Sequence, residues 1–394
     1  MTTTSSTKTG IYTATVTGTS GSTTQTTSVC VDVTTSSTNS CTSTAVTSGN
    51  FYILNSSSIA GYSIKSGVLT PLSGSPIALP SGVTPLAMAV DPTGTFLYVS
   101  TNNGILLYTI GTGGALTLNA SETLNDLTSY ALQIDSTGQW LLDASNTGVG
   151  PVLYAWPISP TTGQSMLGNG INTPALQLTA GSSIGLGGMA ISADNKLVSV
   201  AAGAATYMIG FTAGSGNNGS TSPFGTAYHA NAIGTAVSVA FDPSSSPKFL
   251  YIGETGVYSS TTNSGALRML PVASDVPGNE IAHYPSGGTG PHGIVAASNG
   301  YVYVANWVGT SAGNIATFQL NASTPSLTLQ GNNATGTEPY GIAEDKNHSY
   351  VMTVNNQGSP TFNAFTFDAA TTGQLDASIT GSTGTSPLAI VAVQ

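Results

Sequence analysis

Short apolar runs, some alternating and some continuous, recur along the chain and are separated by turns rich in Gly, Asn, Asp and Pro. That is the signature of strands rather than helices. One phrase repeats: a short apolar strand, a turn of the Asp-Pro-Thr-Gly kind, a second strand rich in Tyr and Val, and a third strand ending aromatic-x-aliphatic. It is clearest in PLAMAVDPTGTFLYVSTNNGILLYTI at 85–110 and returns at 130–158, 188–211 and 238–272, with further copies starting at Gly293 and Gly341. Each second strand opens on a large apolar residue: Phe51, Phe96, Trp140, Leu197, Phe249, Tyr301 and Tyr350. Seven copies of a unit of about fifty residues, each with strand-sized segments, predict an all-β, seven-bladed β-propeller over 50–394.

The two ends of this array are complementary. NFYILN at 50–55 is already a second strand, so the first unit lacks its opening strand, and SPLAIVAVQ at 386–394 is an opening strand with no unit after it. Pairing 386–394 with 50–55 would close the ring and satisfy backbone groups that an unpaired innermost strand leaves bare. Residues 1–49 stand outside the repeat as an amino-terminal hairpin followed by a Ser/Thr-rich linker. GIYTATVTGTSGSTTQTTSVCVDV at 10–33 reads as two alternating strands around a Gly-Thr-Ser-Gly turn. Tyr12, Ala14 and Val16 share one face, as do Val29, Val31 and Val33.

Composition narrows the function. Only 6% of the 394 residues are charged, with six Lys and Arg against sixteen Asp and Glu, for a net charge of −10. A nucleic-acid partner, which requires clustered cations to displace phosphate counterions, is excluded. Binding to an anionic membrane surface fails for the same reason, and no apolar run approaches the ~20 residues of a membrane span. Few lysines, abundant Ser and Thr and only two cysteines favour an extracellular or cell-surface protein. In that setting Cys30 and Cys41 are expected to form a disulfide. No Cys or His pair has the spacing of a zinc site, no phosphate-binding loop precedes a helix, and no cofactor is predicted.

The blade phrases resemble the lactonase family of seven-bladed propellers, the 6-phosphogluconolactonase-like enzymes, and the resemblance covers about residues 50–394. The hairpin resembles the last two strands of a bacterial immunoglobulin-like domain. Lactonase-type activity is associated with charged residues at the propeller mouth: a Pro-Arg-His run before a Phe-His-Pro turn, a Glu after the next strand, and an Asn-Arg-Gly in the following blade. Aligned on FDP at 241–243, this chain has Ala236, Val237 and Ser238 in place of Pro-Arg-His, keeps the glutamate as Glu254, and has Trp307 where the second arginine would stand. Opening a lactone requires oxyanion stabilisation and proton movement, which arginine and histidine would supply. A lone glutamate cannot supply both, since it would repel an anionic substrate.

The remaining candidates each carry a bland and a sharp reading. His292, in GPHG at the opening of the sixth blade, is either a structural histidine or a group aimed at the central channel. Trp307 is either sheet-to-sheet packing or a platform for a glycan. The hairpin is a remnant of a larger unit, a cap on its own propeller, or a strand donor to a neighbouring copy. Three functions follow: an assembly protein polymerising through the stripe Tyr12, Ala14, Val16, Val29, Val31 and Val33; a surface binding module; or a divergent lactonase using Glu254 and His292.

Overall fold

The computed structural model describes residues 10–20, 23–33, 48–65, 67–124, 128–167, 174–185, 188–213, 221–273, 276–368 and 373–393. Beyond the hairpin, the strands form seven antiparallel blades around a central channel. In each blade the innermost strand lines the channel and the second, third and outer strands follow outward. The second strands begin at Phe51, Phe96, Trp140, Leu197, Phe249, Tyr301 and Tyr350. Ala389–Ala392 is the innermost strand of the first blade, with Ala389 opposite Leu54 and Ala392 opposite Phe51.

Two strands run without a break from one blade to the next. Phe224–Phe241 is the outer strand of the fourth blade and then the innermost strand of the fifth, and Ser326–Glu344 does the same for the sixth and seventh. Leu197–Phe211 is a hairpin folded at Gly203, whose φ of +64 favours glycine and where a Cβ would lie within 3 Å of Ser182 Oγ. The Phe211 amide closes that hairpin by donating to the Lys196 carbonyl at 2.7 Å.

The Asp-Pro-Thr-Gly turns are clamps. The Asp91 carboxylate accepts from the amides of Thr95 at 2.7 Å and Phe96 at 2.5 Å, the latter being the first residue of the second strand. Asp135, Asp242 and Asp345 do the same for Trp140, Phe249 and Tyr350. In the fourth blade Ser192 substitutes, its hydroxyl accepting from the Leu197 amide at 3.0 Å. A carboxylate receiving several backbone amides is a short-range device, which explains why the turn is so legible in the sequence.

Tyrosines on the second strands fasten neighbouring blades. Tyr52, Tyr98 and Tyr303 donate to the carbonyls of Gly114, Gly163 and Gly373, each in the following blade, at 2.8, 2.5 and 2.7 Å. All three glycines have positive φ, and a Cβ on Gly163 or Gly373 would lie within 3 Å of the Phe96 or Tyr301 ring. Only glycine admits both the conformation and the approach. Apolar clusters between blades complete the core, such as Phe51 stacked on Phe362 at 5.5 Å across the closure.

At the amino terminus, Gly10–Ser20 and Thr23–Val33 pair antiparallel as a separate two-stranded sheet. Tyr12 lies opposite Val31 and Ala14 opposite Val29. Val16 lies opposite Thr27 and Val33 opposite Gly10. Cys30 is opposite Thr13, while Cys41 lies outside the described residues, as does the pairing expected of it.

Candidate functional site at the channel mouth

The channel mouth is built by a repeated irregularity. In five innermost strands the register skips one residue near the start, between Pro85 and Ala87, Ser129 and Ala131, Ala236 and Ser238, Pro291 and Gly293, and Pro339 and Gly341. The extra residues are Leu86, Tyr130, Val237, His292 and Tyr340. A β-bulge leaves its residue out of the ladder and re-aims the side chain. Proline, with no amide to donate, fits at such a position. Pro-x-small therefore recurs at 85–87, 291–293 and 339–341, and again at 387–389 in the closing strand. Glu338 and Ser386, each preceding one of these prolines, have φ of 55 and 46. Backbone strain of that kind persists only where surrounding structure enforces it.

Leu86, His292 and Tyr340 line a central cavity of about 370 Å³ whose wall comes from the innermost strands of all seven blades. The other side chains of the wall are aliphatic or aromatic, apart from Gln133, but polar groups make up more of its exposed surface than apolar ones. None of the five described cations, Lys65, Lys196, Lys248, Arg268 and Lys346, belongs to it, and no carboxylate does.

His292 is held by rings. It stacks on Tyr340 with centroids 4.8 Å apart and planes 23° apart, and it meets Trp307 at 5.9 Å and 41°. Gly290 makes room for it, since a Cβ there would lie 2.8 Å from His292 Nε2. Nε2 is buried without a hydrogen-bond partner, and burial pushes the imidazole pKa down to about 4. His292 is therefore neutral at pH 7. Trp307 is half-buried, with its indole N–H donating to the Gly309 carbonyl.

Glu254 is elsewhere. It is fully buried within the fifth blade. One carboxylate oxygen accepts from the Ile233 and Gly234 amides at 2.8 and 2.9 Å, and the other meets Arg268 Nη1 at 2.5 Å. Arg268 continues to the Asn231 carbonyl at 3.0 Å and to Glu280, and Glu280 bonds His283 Nδ1 at 2.5 Å. Burial on its own would raise the Glu280 carboxyl, but hydrogen bonds from His283 and the Arg268 charge outweigh it and hold it below its usual value. The sequence offered Glu254 and His292 as candidates for a divergent lactonase. The structure sets them apart: Glu254 is bonded to two amides and Arg268 inside the fifth blade, and His292 sits in a ring stack. Ser238, in the family histidine's place, donates to the Pro291 carbonyl at 2.5 Å and ties the fifth blade to the sixth. Val237, in the arginine's place, is a bulge residue.

Two residues of the site escaped the sequence reading. Arg268 carries no motif and reaches Glu254 only through strand pairing, with Arg268 opposite Ile252 and Ala266 opposite Glu254. Tyr340 was detectable in principle, because Pro-Tyr-Gly repeats the Pro-His-Gly pattern. Among the described residues no group of three or more His, Cys, Asp or Glu could hold a metal ion.

A family model, the lactonase seven-bladed β-propeller, matches residues 252–392, from the second strand of the fifth blade to the closing strand. Solved structures extend the likeness over nearly the whole chain. A candidate 6-phosphogluconolactonase of Bacteroides fragilis superposes with a TM-score of 0.66 at 15% identity, covering 90% of this chain and 99% of its own. The periplasmic gluconolactonase of Pseudomonas aeruginosa gives 0.67 at 15% identity, covering 89% and 100%. A second candidate 6-phosphogluconolactonase, from Bacteroides uniformis, gives 0.67 at 17%, covering 87% and 99%. The fold is that of the lactonase-type propellers. No curated protein matches the chain by sequence. Nothing in these likenesses supports an immunoglobulin-like unit at 1–49. The described cavity wall at the mouth carries none of the charged side chains that the sequence resemblance led one to expect.

Proposed function

We propose that the chain is a non-catalytic lactonase-type propeller serving as a structural unit of an extracellular assembly, joined to its neighbours through the hairpin at 10–33. The observation that carries the non-catalytic part is the fate of Glu254. Its carboxylate is sealed against Arg268 and two backbone amides, while the cavity wall has no charged side chain to stabilise an oxyanion or a sugar acid. For the assembly part, support comes from the hairpin's isolation as its own sheet and from its apolar alternation. Two strands alone are marginal in water, and strand addition supplies both direction and backbone hydrogen bonds. Low charge and abundant Ser and Thr support an exterior location.

Two experiments test this reading. Hydrolysis of 6-phosphogluconolactone should proceed at the uncatalysed rate, and turnover that Glu254→Gln abolishes would restore the lactonase reading. Electron microscopy of the full chain should show polymers that vanish when residues 1–33 are deleted while the propeller stays folded. Polymers that survive the deletion, or a strictly monomeric full chain, would refute the assembly role.

A second reading, a surface module that binds a glycan or protein at the mouth, is favoured by the half-buried Trp307 beside His292. It predicts a monomer with ligand affinity.

A further inference from the structure

We infer that the outer strand of the fourth blade, the part of Phe224–Phe241 that spans 224–231, is an acceptor edge onto which the hairpin at 10–33 of a second copy adds as a further strand. This rests on the assembly reading above and deepens it by naming the surface that receives the hairpin.

An outermost strand leaves a row of backbone donors and acceptors open, and such rows are normally blunted by short strands, charges, prolines or bulges. Most of the ring follows that practice. The outer strands of the first, third and fifth blades are short: Val68–Pro71 and Ile77–Ala78, Ala175–Gln177, and Ala282–Pro285. In the second blade, Leu116–Leu124 has a register break between Leu118 and Thr123. The outer strand of the sixth breaks register opposite Thr317 and Phe318, and that of the seventh carries Asp376.

The fourth blade has none of these devices. Its register is unbroken from Asn231, opposite Ala205, to Ala227, opposite Ile209. Residues 224–233 include no Asp, Glu, Lys, Arg or Pro. Gly225, Thr226, Ala227, Tyr228 and His229 are exposed in succession, whereas a strand covered on one face would alternate. The Asn231 carbonyl accepts from Arg268 Nη1 at 3.0 Å, which marks where the open row ends. Residues two apart on a strand direct their backbone groups to the same side. Ala227 and His229 therefore present N–H and C=O outward, where no described residue of another blade bonds them.

Charge says what can dock there. The chain carries −10, so two copies repel except where both surfaces lack acids. The edge at 224–233 has none, and the hairpin at 10–33 has only Asp32. The hairpin's two strands, of eleven residues each, pair only with one another, so each keeps an open side. Two open rows of backbone groups satisfy each other without any match of charged side chains. The ring makes the donor a neighbour. The hairpin's linker enters at the first blade, where the Ser48 amide donates to the Ile64 carbonyl at 2.9 Å. The fourth blade stands nearly opposite in a ring of seven. Attachment and acceptor on opposite sides give a head-to-tail contact, which extends a filament rather than closing a pair.

The test uses the full chain, with mass read by light scattering after size exclusion. Ala227→Lys places a charge on the edge and lowers the net charge, so a loss of polymers cannot come from added repulsion. It should reduce polymers to single chains, while Leu329→Lys, on the exposed outer strand of the sixth blade, leaves them unchanged. Tyr12→Lys with Val31→Lys sets two lysines opposite each other in the hairpin and should likewise give single chains. Mixing the edge variant with the hairpin variant should give dimers and nothing larger, because each keeps one half of the contact. If Ala227→Lys does not fold, Ala227→Pro, which removes only the outward amide, reads the same edge. Polymers that survive the edge variants but need the hairpin would overturn this inference and leave the assembly reading standing. So would an equal loss with Leu329→Lys. Polymers lost with Ala227→Lys yet kept by the hairpin variant would give the edge a different occupant and overturn it as well. A wild-type chain that stays monomeric sinks both.

Discussion

The fifth blade and the junction of the sixth and seventh handle their polar groups in opposite ways. In the fifth, Glu254, Arg268, Glu280 and His283 form a chain of ion pairs and a final hydrogen bond that starts in full burial and ends at the surface. At the sixth and seventh, His292 is left without hydrogen bonds at Nε2 and is packed between rings. The first arrangement keeps charge by pairing it; the second removes charge by excluding water. A residue's place in the repeat therefore does not reveal its role. Glu254 is the residue that the resemblance singles out, yet its chemistry is set by an arginine on the next strand.

The largest effect expected from this contrast is on stability. Arg268→Met leaves the Glu254 carboxylate buried with only two amides, and should cost about 3–5 kcal/mol in denaturant unfolding. Adding Glu254→Gln removes the stranded charge and should recover a good part of that loss. A single-variant cost under about 1 kcal/mol would mean the pair behaves like an exposed one and would erase the distinction between the two regions.

The second effect is an acid dependence centred on the junction of the sixth and seventh blades. The His292 pKa is lowered from 6.5 to about 4 in the folded protein. Between those values the unfolded chain binds a proton that the folded chain does not, so stability is fully present above about pH 6.5 and falls as the pH drops toward 4. The loss by pH 4 is of order 3 kcal/mol. His292→Phe should flatten the unfolding curve in that window. Glu280, whose pKa is depressed, also loses stabilisation on acidification, but below its unfolded carboxylate value, so the two contributions separate along the pH axis. The smallest effect belongs to Trp307. Trp307→Phe forfeits the bond to the Gly309 carbonyl and should cost about 1 kcal/mol, with no change in the acid profile.

The blades were legible in the sequence because their determinants are local. An aspartate that clamps the amides a few residues later, as Asp91 does for Phe96, leaves its mark within one turn. So does a large apolar residue at the head of each second strand. The mouth was less legible because its geometry is set across strands. Whether Glu254 faces a substrate depends on Arg268, fourteen residues away in sequence and adjacent only after pairing. Tyr340 belongs to the cavity because a bulge turns it there, and the Pro-x-small pattern reads as a turn until the register is seen. The alternation of Tyr12 and Ala14 with Val31 and Val29 was readable in the hairpin, whereas any partner for that sheet is not encoded in those residues.

The closing strand has a consequence for how the ring forms. Blades two to seven take their innermost strand from the stretch of chain just ahead of the second, so each can pair as soon as it is made. The first cannot, because Phe51–Leu54 finds its inner partner in Ala389–Ala392 at the other end of the ring. Until then a row of backbone donors and acceptors stays open on an apolar strand, and such an edge accepts any strand of matching shape. The same four residues that seal one ring are thus the means by which two nascent copies can trade ends, each completing the other. The yield of single rings should fall as copies crowd together during folding, a concentration dependence that the other six blades do not share.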